Sequence, residues 1–266
     1  MQLYLQKLNG KLTSERPREA INFDDPSSFT IYSDEALIVM TMDQLAAVMN
    51  GFILSSPGAQ IQDVKLRADG DRPHISGWLN KGIPLPFQAE ARVAATPEGK
   101  IGIAIDKFSG ARVALKGFLE ALGLDLQALV SAAGANGMTI RGNSLIIDPE
   151  TALPPPQIRG RISRANIASQ TLILTIGKPS AEAPPRAARG YLLVRGGTVK
   201  FGRLEMFGTD LKMMGQDPRG PFNFYLREYD KQLIAGYSKT TQSLGVQVLM
   251  PNYSNLARPS AKSSTH

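Results

Sequence analysis

Apolar positions recur along this chain with two periods, and the switching between them predicts the order of elements. Residues 29–40, FTIYSDEALIVM, are rich in β-forming side chains and predict a strand. Directly behind it Met42, Leu45, Val48, Met49, Phe52 and Ile53 recur at intervals of three and four, the stripe of an amphipathic helix with Asp43, Gln44 and Asn50 off it. Thr41 and Gln44 have the spacing of a capping box, so that helix should open at Thr41. The period then changes to two in DVKLRAD, HISGWL, LPFQAEARVA and IGIAIDKF, segments separated by turn residues, which predicts an antiparallel meander. In its third segment Leu85, Phe87, Ala89, Ala91 and Val93 fall on one face and Gln88, Glu90 and Arg92 on the other. A sheet with one apolar face needs a covering layer. A second helical stripe through Val113, Leu115, Phe118, Leu122, Leu126 and Val130 supplies one, kinked or broken where Gly117 and Gly123 interrupt it.

Further on, MTIRGNSLIID predicts a hairpin about Gly142-Asn143, and IRGRISRANI runs through ASQ into TLILTIG as another strand pair. In LPPPQIRGRI, residues 153–162, three prolines should form a stiff extended connection that ends where pairing resumes at Ile158, with isoleucine and glycine on one face beyond it and arginines on the other. KPSAEAPPRAAR, residues 178–189, has linker composition without periodicity. Behind it, YLLVRGGTVKFGRLEMFGTDLKMM predicts a short meander, PFNFYLREYDKQLIAGY a helix and GVQVLM a last strand. The expected organisation is an N-terminal tail (1–24), a sheet-around-helix domain (25–177), a linker (178–189), a C-terminal extension (190–250) and a disordered tail (251–266).

Composition is that of a folding chain, with 42% hydrophobic and 20% charged residues, and no apolar run reaches the ~20 residues of a membrane-spanning helix. With no cysteine there is no disulfide and no thiol nucleophile. Charge is uneven: residues 1–177 hold 17 Lys and Arg against 17 Asp and Glu, while residues 178–266 hold 13 against 6. That last third also carries nine of the eighteen aromatic residues, so it combines basic and flat apolar side chains, as surfaces that meet phosphate-bearing partners do. Catalytic signatures are weak. His74 is the one histidine away from the terminus and no GxSxG accompanies it, GKPS at 177–180 lacks the pattern of a phosphate loop, and Asp24-Asp25 and Asp34-Glu35 read as solvated pairs. Nothing in these motifs calls for an enzyme, a metal or a cofactor. Arg195, Lys200 and Arg203, interleaved with Phe201, leave nucleic-acid binding open without a recognised motif to support it.

The order of features, a helix after a first strand, a one-sided meander, a second apolar helix, then LIIDPETALPPPQIRGRI, RGGTVKFGRLEMFGTDL and YDKQLIAGYSKT, resembles bacterial cell-envelope proteins of the tubular lipid-binding (TULIP) type, including LmeA-like proteins. The resemblance implies an α+β fold in which a long curved antiparallel sheet wraps around amphipathic helices, with a small C-terminal α/β extension. It further implies non-enzymatic binding, or transport, of lipid or another long apolar ligand, an export signal or anchor, and a place in the periplasm or cell envelope. On that reading Leu45, Met49, Phe52, Phe87, Leu115, Phe118 and Leu122 are the candidates for lining an apolar groove, and Met42, Met49 and Met138 would suit an adaptable lining. Arg195, Lys200, Phe201 and Arg203 are the candidates for contact with an anionic membrane surface or an envelope protein partner. The residues by themselves leave two further readings open, a structural or interaction module of envelope assembly with a filled core, and a nucleic-acid-binding protein.

Overall fold

The computed structural model describes residues 4–54, 61–80, 84–109, 137–141, 144–178, 190–217 and 222–256. Of these, 59% lie in strands and 15% in helices, with a curled half-barrel sheet among them, so the α+β class rests on antiparallel sheets joined by short helices. The predicted second helix, with Leu115, Phe118 and Leu122, lies outside the described residues, as do the Gly142-Asn143 turn and residues 179–189 of the linker.

The chain forms two compact units, one of residues 1–11 and 30–182, the other of residues 12–29 and 183–266. It opens with β1 (Tyr4–Ser14), a two-residue strand β2 (Ile21–Asn22) and β3 (Phe29–Thr41), followed by α1 (Met42–Val48) and a π-helical turn (Met49–Ile53). The meander follows as β4 (Ile61–Asp69), β5 (Arg72–Asn80), β6 (Pro84–Ala95) and β7 (Ile101–Ser109), then β8 (Met138–Arg141) and β9 (Ser144–Ile147). A helical turn α2 (Pro149–Ala152), β10 (Gln157–Arg159), β11 (Ile162–Ala168) and β12 (Thr171–Gly177) complete the first unit. One sheet has the order β1-β3-β12-β11, with β10 added parallel to β3, and the other the order β4-β5-β6-β7-β9-β8.

Both sheets turn an apolar face to one core. Ala36, Ile38 and Met40 of β3 and Leu172, Leu174 and Ile176 of β12 face Val64, Leu66, Ala91, Ile101, Ile103 and Ile147 of the second sheet. Helix α1 packs on β4 and on β12, and β11 lies against β6, so the two sheets close over each other. The alternation expected of β6 holds in its middle, with Phe87, Ala89 and Ala91 buried and Gln88 and Arg92 exposed, whereas Leu85 at its start is exposed and Val93 half-buried. On the wet face Arg92 holds Asp106 through Nε and Nη2, both at 2.7 Å, and this guanidinium keeps the Asp106 carboxyl below the usual range.

The capping box forms as expected: Thr41 Oγ1 accepts from the Gln44 amide at 3.2 Å, and Gln44 Oε1 accepts from the Thr41 amide at 3.0 Å. Asn50, off the stripe, serves the edge strand. Its side-chain amide donates to the Val64 carbonyl at 2.8 Å and accepts from the Val64 amide at 2.9 Å, where the β4–β5 register shifts between Gln62 and Lys65. A backbone pair that the shift would leave open is thereby satisfied.

The second unit holds β13 (Tyr191–Arg195), β14 (Thr198–Phe201), β15 (Leu204–Phe207), β16 (Asp210–Gly215), α3 (Tyr229–Ile234), β17 (Tyr237–Thr240), β18 (Val246–Met250) and α4 (Tyr253–Leu256). Its sheets have the orders β13-β16-β18-β17 and β15-β14-β2. The core is aromatic: Phe201 stacks on Tyr229 at 4.5 Å, and Phe23 meets Phe29 at 5.5 Å and Phe201 at 5.7 Å. Tyr229 donates its hydroxyl to Asp24 and accepts the Gly202 amide at 2.7 Å, and burial followed by the Asp24 bond pushes its phenol far above its ordinary value.

Three expectations are corrected. Residues 4–14 and 21–22, expected in an N-terminal tail, form β1 and β2; β1 has no buried residue among those described, and its apolar period is correspondingly weak. The C-terminal helix is limited to Tyr229–Ile234 behind one 3-10 turn, because residues 222–225 are irregular, with the buried Gln232 side chain accepting from the Tyr225 amide and donating to the carbonyls of Asn223 and Pro251. Residues 253–256, expected in a disordered tail, form α4, where the Tyr253 ring lies 4.6 Å from Tyr225.

Candidate functional site

The first unit holds an open cavity of about 530 Å³ between its two sheets. Its walls come from three sources. Ile38 and Met40 of β3 and Leu174 and Ile176 of β12 form one side, where Leu174 lies opposite Ile38 in register. Ile101 and Ile147 of the second sheet form another, and Leu45 and Val48 of α1 close one end. Alternation along β3 and β12 aims every second side chain inward, so these apolar positions follow from the period-two pattern. From Tyr32 to Met40 the lining follows β3 for eight residue steps, roughly 26 Å at the rise of an extended strand.

The other end is polar. Asp34, the β6–β7 turn with Glu98 and Lys100, the start of α2 with Asp148 and Glu150, and Arg159 and Arg161 surround it. Local folding places each. Gly99 has φ +81°, and a Cβ there would lie 2.4 Å from Cγ of Arg161, so the turn has to be glycine for Arg161 to lie across it. Arg161 donates to the Pro97 carbonyl, and the Ile162 amide donates to the Gly99 carbonyl at 3.0 Å. Asp148 caps α2 by accepting the Glu150 amide at 3.1 Å and pairs with Lys100 at 2.7 Å. Glu98 pairs with Arg141 at 2.9 Å, and chiefly that guanidinium lowers its carboxyl to about 2.

Arg159 hydrogen-bonds to neutral groups and pairs with Glu150. Nη1 donates to the Tyr32 hydroxyl at 3.0 Å and Nη2 to Gln157 Oε1 at 3.4 Å, while the guanidinium lies 5.5 Å from the Tyr32 ring centre. Its Nε is buried and has no hydrogen-bond partner, the nearest carboxylate being Glu150 at 3.7 Å. A buried donor left open is costly, and it marks a position where an acceptor would be favoured.

Of the residues expected to line a groove, Leu45 reaches this cavity. Met49 and Phe87 are buried at 6% and 9% exposure without lining it, the side chain of Phe52 is outside the description, and so are Leu115, Phe118 and Leu122. Met42, Met49 and Met138 are likewise buried away from the cavity, whereas Met40 lines it. Sequence reasoning missed the β3 and β12 positions, whose signal was their alternation, and the two arginines, whose signal was the pattern in QIRGRI. None of the prolines at 154–156 lines the cavity, although Leu153 before them and residues 158–162 after them do.

In the second unit Arg195, Lys200 and Arg203 are exposed, with Arg195 3.6 Å from Asp210 and Lys200 opposite Glu205 in register. Phe201 corrects the expectation: at 1% exposure inside the aromatic core it offers no ring to a membrane or a base. The exposed apolar side chains of this hairpin are Phe207, at 78%, and Leu204. Asp24 and Asp25 are not merely solvated, since Asp24 accepts from Tyr229 and Asp25 accepts from the Ser27 amide at 3.1 Å and pairs with Arg16. His74 sits on β5 opposite Glu90. Among the described residues, no group of three or more His, Cys, Asp or Glu could hold a metal ion and no helix is long and apolar enough to cross a membrane. No protein-family model, no curated protein and no solved structure matches the chain.

Proposed function

We propose that this chain is a non-enzymatic binding protein of the bacterial cell envelope, TULIP-like in kind, that holds an acyl chain or a similar long apolar group in the cavity of its first unit. The observation that carries the reading is a space of about 530 Å³ with an apolar interior and a polar mouth. That size lies within the range of roughly 300–1,000 Å³ of small-molecule sites, which combine apolar walls with a few placed polar groups.

The second unit contributes membrane contact in this reading, through Lys200, Arg203, Leu204 and Phe207 of the β14–β15 hairpin. Exposed cationic and aromatic side chains together suit an anionic bilayer surface.

Native mass spectrometry of the purified protein, before and after solvent extraction, tests the ligand. Bound species that extraction removes, and that identify as lipids in the extract, are expected. Folded protein that carries no lipid and takes up no fatty-acid probe after extraction would instead favour the structural module.

A further inference from the structure

We infer that the occupant of the cavity is a single-chain amphiphile with a zwitterionic, phosphate-bearing head, the chemistry of a lysophospholipid. The inference rests on the reading of the cavity as an acyl-chain site and adds what the mouth selects. A single chain is inferred from size: about 530 Å³ lies in the lower half of the range of small-molecule sites, roughly 300–1,000 Å³.

The head follows from the mouth's charges. Four carboxylates, Asp34, Glu98, Asp148 and Glu150, line the mouth with three cations, Lys100, Arg159 and Arg161, and Arg141, outside the lining, pairs with Glu98. Three carboxylates are engaged, Asp148 by Lys100, Glu98 by Arg141 and Glu150 by Arg159 at the longer distance of 3.7 Å. The ion pairs of the described residues leave one anion, Asp34, and one cation, Arg161, whose recorded partner is a carbonyl. Arg159 and Arg161 both line the pocket and flank Gly160, where a Cβ would lie 2.5 Å from Ile176, so that residue is pressed against the sheet. The Nε of Arg159, which makes no hydrogen bond although Glu150 stands 3.7 Å from it, and the Arg161 guanidinium are the donors offered to a phosphate. Asp34 offers the counter-charge for an ammonium on the same head. A purely anionic head would meet Asp34 and Glu150, and a cationic one both arginines.

Displacement of an uncharged naphthylamine probe by twelve-carbon compounds below their micelle-forming concentrations tests this. Dodecylphosphocholine, dodecyl phosphate, dodecyltrimethylammonium and monolauroylglycerol are compared on wild type, Arg159→Met, Arg161→Met and Asp34→Asn. The phosphocholine should displace the probe best. Either arginine substitution should weaken it by about tenfold while leaving monolauroylglycerol unchanged. Asp34→Asn should weaken the phosphocholine and strengthen dodecyl phosphate. Arg161→Met removes an exposed side chain and keeps the test interpretable should Arg159→Met fail to fold. Equal displacement by all four compounds, or phosphocholine binding that ignores all three substitutions, overturns the inference while the acyl-chain reading stands. If folded wild type binds neither the probe nor any of the four, both fall together.

Discussion

Thr41 and Gln44 were readable as a pair because a capping box is complete within four residues, and the two hydrogen bonds form as the spacing requires. Arg159 shows the opposite case. Its alternation with Ile158 and Gly160 is visible in sequence, but its partners Tyr32 and Glu150 arrive through the parallel pairing of β10 with β3 and through α2, which no local pattern encodes. Glu98 supplies a prediction at this scale. Its folded carboxyl, lowered from 4.5 to about 2 chiefly by Arg141, contributes stability that is complete above pH 4.5 and is lost as pH falls toward 2. The melting temperature of wild type should therefore fall more steeply over that interval than that of Glu98→Gln. Because both side chains are exposed, high salt should shrink the difference. Parallel melting curves for the two proteins across that pH range would contradict the assignment.

Strong period-two segments gave the meander β4 to β7 in the right order, and the strand-then-helix boundary at Thr41 was placed to the residue. Elements failed where side chains, not backbone ladders, satisfy the polar groups. Residues 222–225 carry aromatic side chains at helix-like intervals, yet Gln232, with 0% exposure, takes up the Tyr225 amide and the carbonyls of Asn223 and Pro251 and so stabilises an irregular path. Replacing Gln232 by leucine keeps the volume and removes all three bonds. Because each buried group left open costs about 1–3 kcal/mol, a net loss of roughly 3 kcal/mol is expected, read as a lower urea midpoint. A midpoint within error of wild type would mean that water reaches those groups. The edge strand β1 was missed for a related reason: a strand largely open to solvent needs little apolar alternation, so its sequence resembles a polar tail.

For the molecule as a whole, composition located the charge correctly in the last third, and the structure resolves what that charge faces. Arg195 lies near Asp210 and Lys200 opposite Glu205, while Phe207 stands 78% exposed on the same hairpin. Co-sedimentation with anionic vesicles in low salt should therefore be lost in a Lys200→Glu, Arg203→Glu, Phe207→Asp triple variant, since each basic residue near such a surface contributes on the order of 1 kcal/mol. Sedimentation equal to wild type would make the hairpin an ordinary solvated face. The division into two units was not legible, because residues 12–29 join a unit made mostly of residues beyond 183 through the β2–β14 pairing, the Asp24–Tyr229 bond and the Phe23–Phe201 contact, none of which a local pattern encodes. The central claim is that the cavity of the first unit is a ligand site. The most direct measurement is titration of a fluorescent single-chain fatty-acid analogue into delipidated wild type and into Leu174→Trp, which places an indole in the cavity. Saturable binding of one probe per chain is predicted for wild type, with loss of binding in the variant and a melting temperature that does not fall. Equal binding by the folded variant, or none by folded wild type, would contradict it.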